Sequence, residues 1–137
     1  MSKVFIDTNI LVYSCDEYAR EKREHCRNLL RSLKNGDVGV ISTQVLQEFY
    51  VISLKKLGID PIYAKAIMHS FRNYEVVTVD PDLIEEAVDC SLLNRISFWD
   101  ALIVVSAEKA HCERLLTEDL SHGQIIRGVR VENPFIA

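Results

Sequence analysis

The chain lacks any apolar run long enough to cross a bilayer. Near Met1 there is no charged segment leading into an apolar core and a cleavage site. The first apolar run is cut by Asp7, Thr8 and Asn9 after a few residues. The expectation is a cytoplasmic protein without membrane attachment. No C-x-x-C pair occurs among the four cysteines, Cys15, Cys26, Cys90 and Cys112, which read as buried apolar residues of a reduced chain. His25–Cys26 and His111–Cys112 are adjacent pairs. Neighbours along a helix diverge, and the ligand spacing of zinc motifs is missing. An excess of basic charge is missing too: the formal net charge is −4. The molecule as a whole therefore does not attract nucleic acid. Such a partner needs a local basic patch, or metal ions that invert the charge of an acidic site.

Linkers, low-complexity segments and internal repeats are also missing, so residues 1–137 read as a single domain able to bury a core. With 48% hydrophobic and 26% charged residues, the balance is that of a globular protein. Short β-rich runs alternate with amphipathic stretches, which predicts an α/β fold with a largely parallel sheet of four to five strands. Lys3–Ile6, Val38–Ser42, Val76–Val79 and Arg114–Thr117 are the predicted strands, with Val129–Val131 a short fifth. Predicted helices follow Asn9, run from about Glu17 to Lys34 with Cys26, Leu29, Leu30 and Leu33 on one stripe, and run from Thr43 to Leu57, where Gly58 is a stop signal. Asp60-Pro61 and Asp80-Pro81 each read as a cap followed by proline at the first helical position. The helix after Ser97 is apolar from Ala101 to Val105, which predicts burial on more than one side.

Four carboxylates sit where a solvated surface role strains. Asp7 ends the first strand, and ligands of open parallel sheets bind at the carboxyl ends of strands; alternatively Asp7 or Thr8 caps the next helix. Glu48 shares a helical stripe with Val45, Val51 and Ile52, so it points at the core or its edge and needs a partner or a metal. Asp100 stands three residues after Ser97 in a capping-box pattern, compatible with either role. Asp119 follows a strand, where it could also simply start a turn. Two carboxylates at strand ends and two near helix starts can converge on one rim of the sheet, and uncompensated they would repel. Divalent Mg²⁺ or Mn²⁺ held through oxygen resolves the conflict. Such a site can activate water for displacement at phosphorus.

The segments Phe5-Ile6-Asp7-Thr8-Asn9, Gln47-Glu48-Phe49, Trp99-Asp100-Ala101-Leu102-Ile103, Leu116-Thr117-Glu118-Asp119 and Gly128-Val129-Arg130-Val131-Glu132-Asn133-Pro134-Phe135 resemble, in order and over nearly the whole chain, PIN-domain ribonucleases, closest to VapC-type toxins of toxin–antitoxin pairs. The resemblance implies a three-layer α/β/α sandwich around a mainly parallel sheet, often a homodimer. It implies that Asp7, Glu48, Asp100 and Asp119 bind the catalytic metal, with Thr8, Asn9 and Thr117 supporting them. It also implies an RNA substrate, cleaved endonucleolytically to a 3′-hydroxyl and a 5′-phosphate, and an antitoxin partner. Arg20, Arg23, Arg27, Arg31 and Lys34 recur on a face opposite the Cys26-Leu30-Leu33 stripe and are candidate phosphate contacts, or else a solvated face interleaved with Glu21 and Glu24. Trp99 reads as a buried anchor rather than a base-stacking ring.

Three other readings fit the same residues. A phosphohydrolase with Asp7 as nucleophile is disfavoured by Asn9, which stands where a D-x-D pair needs its second acid. A PIN nuclease of RNA processing without an antitoxin is the second, and a catalytically silent protein-binding module the third.

Overall fold

A computed structural model describes residues 2–136. Its strands form a single sheet in the order β3-β2-β1-β4-β6-β5. Strand β1 (Lys3–Ile6) lies between β2 (Val38–Ser42) and β4 (Arg114–Leu116), parallel to both. Its residues Val4, Phe5 and Ile6 are fully buried, as a continuous apolar run in a sheet covered on both faces should be. Strand β3 (Glu75–Val77) adds in parallel beyond β2, and β6 (Val129–Glu132) in parallel beyond β4.

The chain steps from β1 to β2 to β3 in one direction, then crosses back to place β4 on the far side of β1. Right-handed crossovers therefore put α1 (Thr8–Tyr13), α2 (Arg20–Leu33), α3 (Thr43–Leu57) and α4 (Pro61–Ser70) on one face. They put α5 (Pro81–Asn94) and α6 (Phe98–Lys109) on the other. The result is an α/β fold with a central, mainly parallel sheet flanked by helices. The reversal at β1 and β4 opens a crevice at their carboxyl ends.

Local chemistry sets the helix ends. Asp60 and Asp80 cap α4 and α5, each ahead of a proline. Ser42 caps α3, and Gly58 closes it with φ of 64°. In α6 every residue from Ala101 to Ala107 is buried, because the helix packs against β2, β4, β6 and α5. Helix α2 begins at Arg20 rather than Glu17, since the Asp16 carboxylate accepts the amides of Tyr18 and Ala19 and turns the chain first. Strand β3 ends at Val77 rather than Val79, whose amide is taken by the Thr43 hydroxyl.

The sheet has six strands, not four to five. The addition is β5 (Ile125–Ile126), antiparallel to β6 across a two-residue turn in which Arg127 and Gly128 have φ of 51° and 78°. Positive φ at both positions is the hairpin turn whose twist matches the strands. The Arg127 guanidinium pins this hairpin to α5 and α6 through Glu86 (2.6 Å) and Glu108 (3.1 Å). Cys26, Cys90 and Cys112 are buried and Cys15 partly so, all as free thiols. Burial pushes the thiols of Cys26 and Cys112 up to about 12. Among the described residues no single helix is long and apolar enough to cross a membrane.

Gly39 in β2 leaves room for the Tyr74 ring: a β-carbon there would lie 2.6 Å from Cδ1 and 2.9 Å from Cε1. Gly39→Ala is expected to lose about 1–3 kcal/mol through overpacking. Tyr74→Ala in the same chain should remove most of that additional loss, as read by urea denaturation of the single and double variants.

Candidate functional site

The crevice is lined by all four acids singled out above, Asp7, Glu48, Asp100 and Asp119. Each arrives from a different element. Asp7 leaves the carboxyl end of β1, Glu48 lies on the second turn of α3, Asp100 on the first turn of α6, and Asp119 follows β4. The cleft holds about 180 Å³, below the ~300–1,000 Å³ of a drug-sized ligand site. It has room for hydrated ions and a phosphodiester rather than a whole nucleotide.

Threonines tie the acids together. The Thr8 hydroxyl donates to Glu48 Oε1 (2.7 Å), while the Thr8 amide donates to Asp7 Oδ1 (2.7 Å). The fully buried Thr117 hydroxyl donates to Asp7 Oδ2 (2.7 Å) and accepts the amide of Asp119 (3.1 Å). Asn9 Nδ2 donates to Asp119 Oδ2 (3.0 Å). Every supporting residue expected from the sequence therefore touches an acid. An ordinary N-cap accepts the amide two or three residues on. Asp7 takes only the next one, so capping does not account for its placement. At Asp100 the cap is Ser97, whose hydroxyl accepts the Asp100 amide (3.0 Å). The Asp100 carboxylate has no hydrogen-bond partner among the described residues and is free to face the cleft.

No ion pair involves any of the four acids among the described residues. Burial, opposed by the two hydrogen bonds and reinforced by Asp119 and Glu48, pushes Asp7 up to about 7. Burial and then the charges of Asp100, Glu118 and Glu48 push Asp119 up as well. Among the described residues two buried side-chain oxygens have no partner, Asn9 Oδ1 and Gln44 Oε1. Gln44 is oriented by its amide nitrogen, which faces the carbonyl of Trp99 (3.2 Å) and Glu48 Oε2 (3.5 Å). A flipped amide would set its oxygen against both.

These residues suit a hydrated divalent cation. No three described Asp, Glu, His or Cys side chains stand close enough to grip one ion unaided. Mg²⁺, however, keeps several waters and takes only one or two carboxylates. Waters on a cation can only donate, and the two orphaned carboxamide oxygens are acceptors in the same cleft.

Other expectations change. Trp99 is 61% exposed on the rim of the cleft, its ring packed edge-on against Phe98, and is not a buried anchor. The row Arg20, Arg23, Arg27, Arg31 and Lys34 does not line the cleft. Much of it is engaged locally: Arg27 donates to the Ser14 carbonyl, Arg31 to Asn28, and Arg23 pairs with Glu24. The cation that does line the cleft is Lys56, with Gln44, Tyr13 and Glu118 also present. None of these four was singled out from the sequence. For Gln44 and Lys56 the signal was their place four residues before and eight residues after Glu48 along α3.

A parallel sheet with carboxylates gathered at its strand-order reversal defines an α/β protein whose candidate site lies at the carboxyl edge of the sheet. The PIN domain model matches residues 4–125, and the chain belongs to the PIN domain family. No match was found among curated protein sequences. Among solved structures, VapBC2 of Rickettsia felis bound to a promoter DNA fragment superposes with a TM-score of 0.70 at 19% identity, covering 96% of this chain and 98% of that chain. DNA-bound VapBC of Salmonella typhimurium gives 0.69 at 23% identity, covering 98% and 99%. VapC20 of Mycobacterium tuberculosis, a sarcin–ricin loop cleaving toxin, gives 0.64 at 20% identity, covering 82% and 86%. These likenesses establish a shared fold.

The Asp7 shift makes a signed prediction for the metal-free protein. Because the folded state keeps this proton from its ordinary value of 3.8 up to about 7, stability falls as pH rises through that window. Above it the cost is on the order of 4 kcal/mol. In EDTA, Asp7→Asn should be more stable than wild type at pH 8, and in chemical denaturation the gap should shrink as pH falls and close only near the ordinary value of 3.8. A gap that widens toward acid pH would refute the assignment.

Proposed function

We propose that the chain is an endoribonuclease dependent on Mg²⁺ or Mn²⁺, the toxin of a type II toxin–antitoxin pair, acting as a single nuclease domain in the cytoplasm. The observation that carries this reading is the cluster of four acids that line one cleft and make no ion pair with a described residue. Asp7, Glu48, Asp100 and Asp119 would hold the ion or ions. A bound ion supplies an activated water and neutralises charge building on the phosphate.

The remaining work falls to the chain itself. Thr8 fixes Glu48 relative to Asp7, and Thr117 fixes Asp7 relative to Asp119. Asn9 holds Asp119 from the other side. Asp7 has to release the proton its burial favours before it can act as a ligand. Trp99 offers an exposed ring at the rim, on which an unpaired base can stack. The Arg20–Lys34 row is a second, more distant surface for RNA phosphates.

The fold shared with VapBC toxin–antitoxin complexes supports an antitoxin partner. An arginine from that partner matches a carboxylate cluster through paired hydrogen bonds. A homodimer is supported by α5, which exposes Ile84, Val88 and Leu92 at four-residue spacing.

Purified protein incubated with structured RNAs should cleave only with added Mn²⁺ or Mg²⁺, leaving 3′-hydroxyl ends on mapping. Cleavage undiminished in excess EDTA sinks the proposal. Thr117→Val should lower metal affinity about 10–100-fold by freeing Asp7 and Asp119.

Metal affinity should also climb with pH up to about 7, the value to which Asp7 is raised, and then level off. The affinity falls roughly tenfold per pH unit below that point if one proton is displaced. Calorimetric titration with Mn²⁺ at several pH values measures it, and a flat profile removes Asp7 from the ligand set.

A further inference from the structure

Helix α3 presents Gln44, Glu48, Ile52 and Lys56 to the same cleft. At four-residue spacing these side chains form one row along the helix. The row runs from a buried carboxamide, through the acid, over an apolar step shared with Val12, to a lysine in the last turn. Among the described residues no other Lys or Arg lines the cleft. Lys56 also makes no ion pair with a described residue, although Glu118 lines the same cleft. Glu118 is already held by the Tyr13 hydroxyl (2.7 Å) and by Lys22 (3.6 Å). Lys56 Nζ instead stands 5.5 Å from the centre of the Tyr13 ring.

Eight residues of helix separate Glu48 from Lys56 by about 12 Å along the axis. A nucleic-acid strand carries one charge per roughly 3.4 Å when stacked, and fewer per length when extended. The spacing therefore corresponds to a linkage within about four of the one at the acids. A polyanion approaching this cleft meets carboxylates, and Lys56 is the rim's counter-charge. Resting on the ribonuclease reading, we propose that Lys56 is a substrate-positioning residue that binds the phosphate of a nucleotide flanking the cleaved bond, so that the α3 row sets how the RNA strand lies across the site.

The test compares wild type with Lys56→Ala, Lys56→Arg and, as a control, Lys55→Ala, whose lysine does not line the cleft. Steady-state cleavage of an RNA that wild type cuts, in Mn²⁺, should show KM raised about 5–10-fold in Lys56→Ala with kcat within twofold. Lys56→Arg should restore most of the loss, and Lys55→Ala should match wild type. The salt slope of kcat/KM should drop by about one ion in Lys56→Ala. Neutral methylphosphonate linkages, placed singly at each of the four positions on either side of the cut, should weaken wild type at one position and leave Lys56→Ala unaffected there. The thermal shift produced by Mn²⁺ alone should be unchanged in Lys56→Ala, which separates this role from metal binding.

The inference is overturned if kcat falls while KM holds, if Lys55→Ala behaves like Lys56→Ala, or if no linkage loses its sensitivity in Lys56→Ala. Loss of partner-protein binding with KM unchanged would likewise overturn it, assigning the lysine to a protein surface. A wild type that cuts no RNA in Mn²⁺ overturns the ribonuclease reading along with it.

Discussion

The Thr117 hydroxyl donates to Asp7 and accepts from the amide of Asp119. Through that one oxygen the end of β1 and the end of β4 are held in register at the floor of the cleft. Both strands are buried, parallel and adjacent, so neither can shift without breaking the bond. Thr8 extends the connection to Glu48 on α3, and Asn9 closes it back to Asp119. The carboxylates are thus spaced by short, stiff side chains that donate to them. A hydroxyl or amide that satisfies an oxygen leaves the negative charge in place, whereas an arginine would neutralise it and fill the space.

That choice is costly without a bound cation, and the cost is visible in Asp7. A carboxylate buried among other acids binds its proton up to about pH 7. The structure tolerates this because the remaining core is large and continuous: β1, the inner half of α3 and all of α6 from Ala101 to Ala107 are buried. The stabilising mass of the fold lies directly beneath a site that on its own would destabilise it. Rigidity of the floor and strain among the acids are two aspects of the same arrangement.

Much of this was legible in the residues. Strand–helix alternation gave the parallel sheet, and the positions of Asp7 and Asp119 at strand ends, with Glu48 on an apolar stripe, gave the convergence of acids. The short elements were not legible. A two-residue strand such as β5 carries no period, and its turn places Arg127 in a left-handed conformation that sequence rules reserve for glycine or asparagine. The exposure of Trp99 was misjudged because aromatic residues beside an apolar helix usually enter the core. Here Trp99 sits on the first turn of α6, at the lip of the cleft. Lys56 went unnoticed because a lysine near a helix C-terminus is ordinary dipole chemistry. Only the shared cleft sets it apart.

The pairing of Asp7 with Thr117 spans 110 positions of sequence. During synthesis the first acid leaves the ribosome long before β4 exists, and α6, with Asp100, also precedes it. A chain that stops before β4 has no floor to its cleft and no fourth acid. The cutting centre proposed for this protein therefore comes into being only once β4 and Asp119 have been added to the chain. A fragment that stops before β4 lacks both the Thr117 tie and Asp119, whatever helices and strands it keeps.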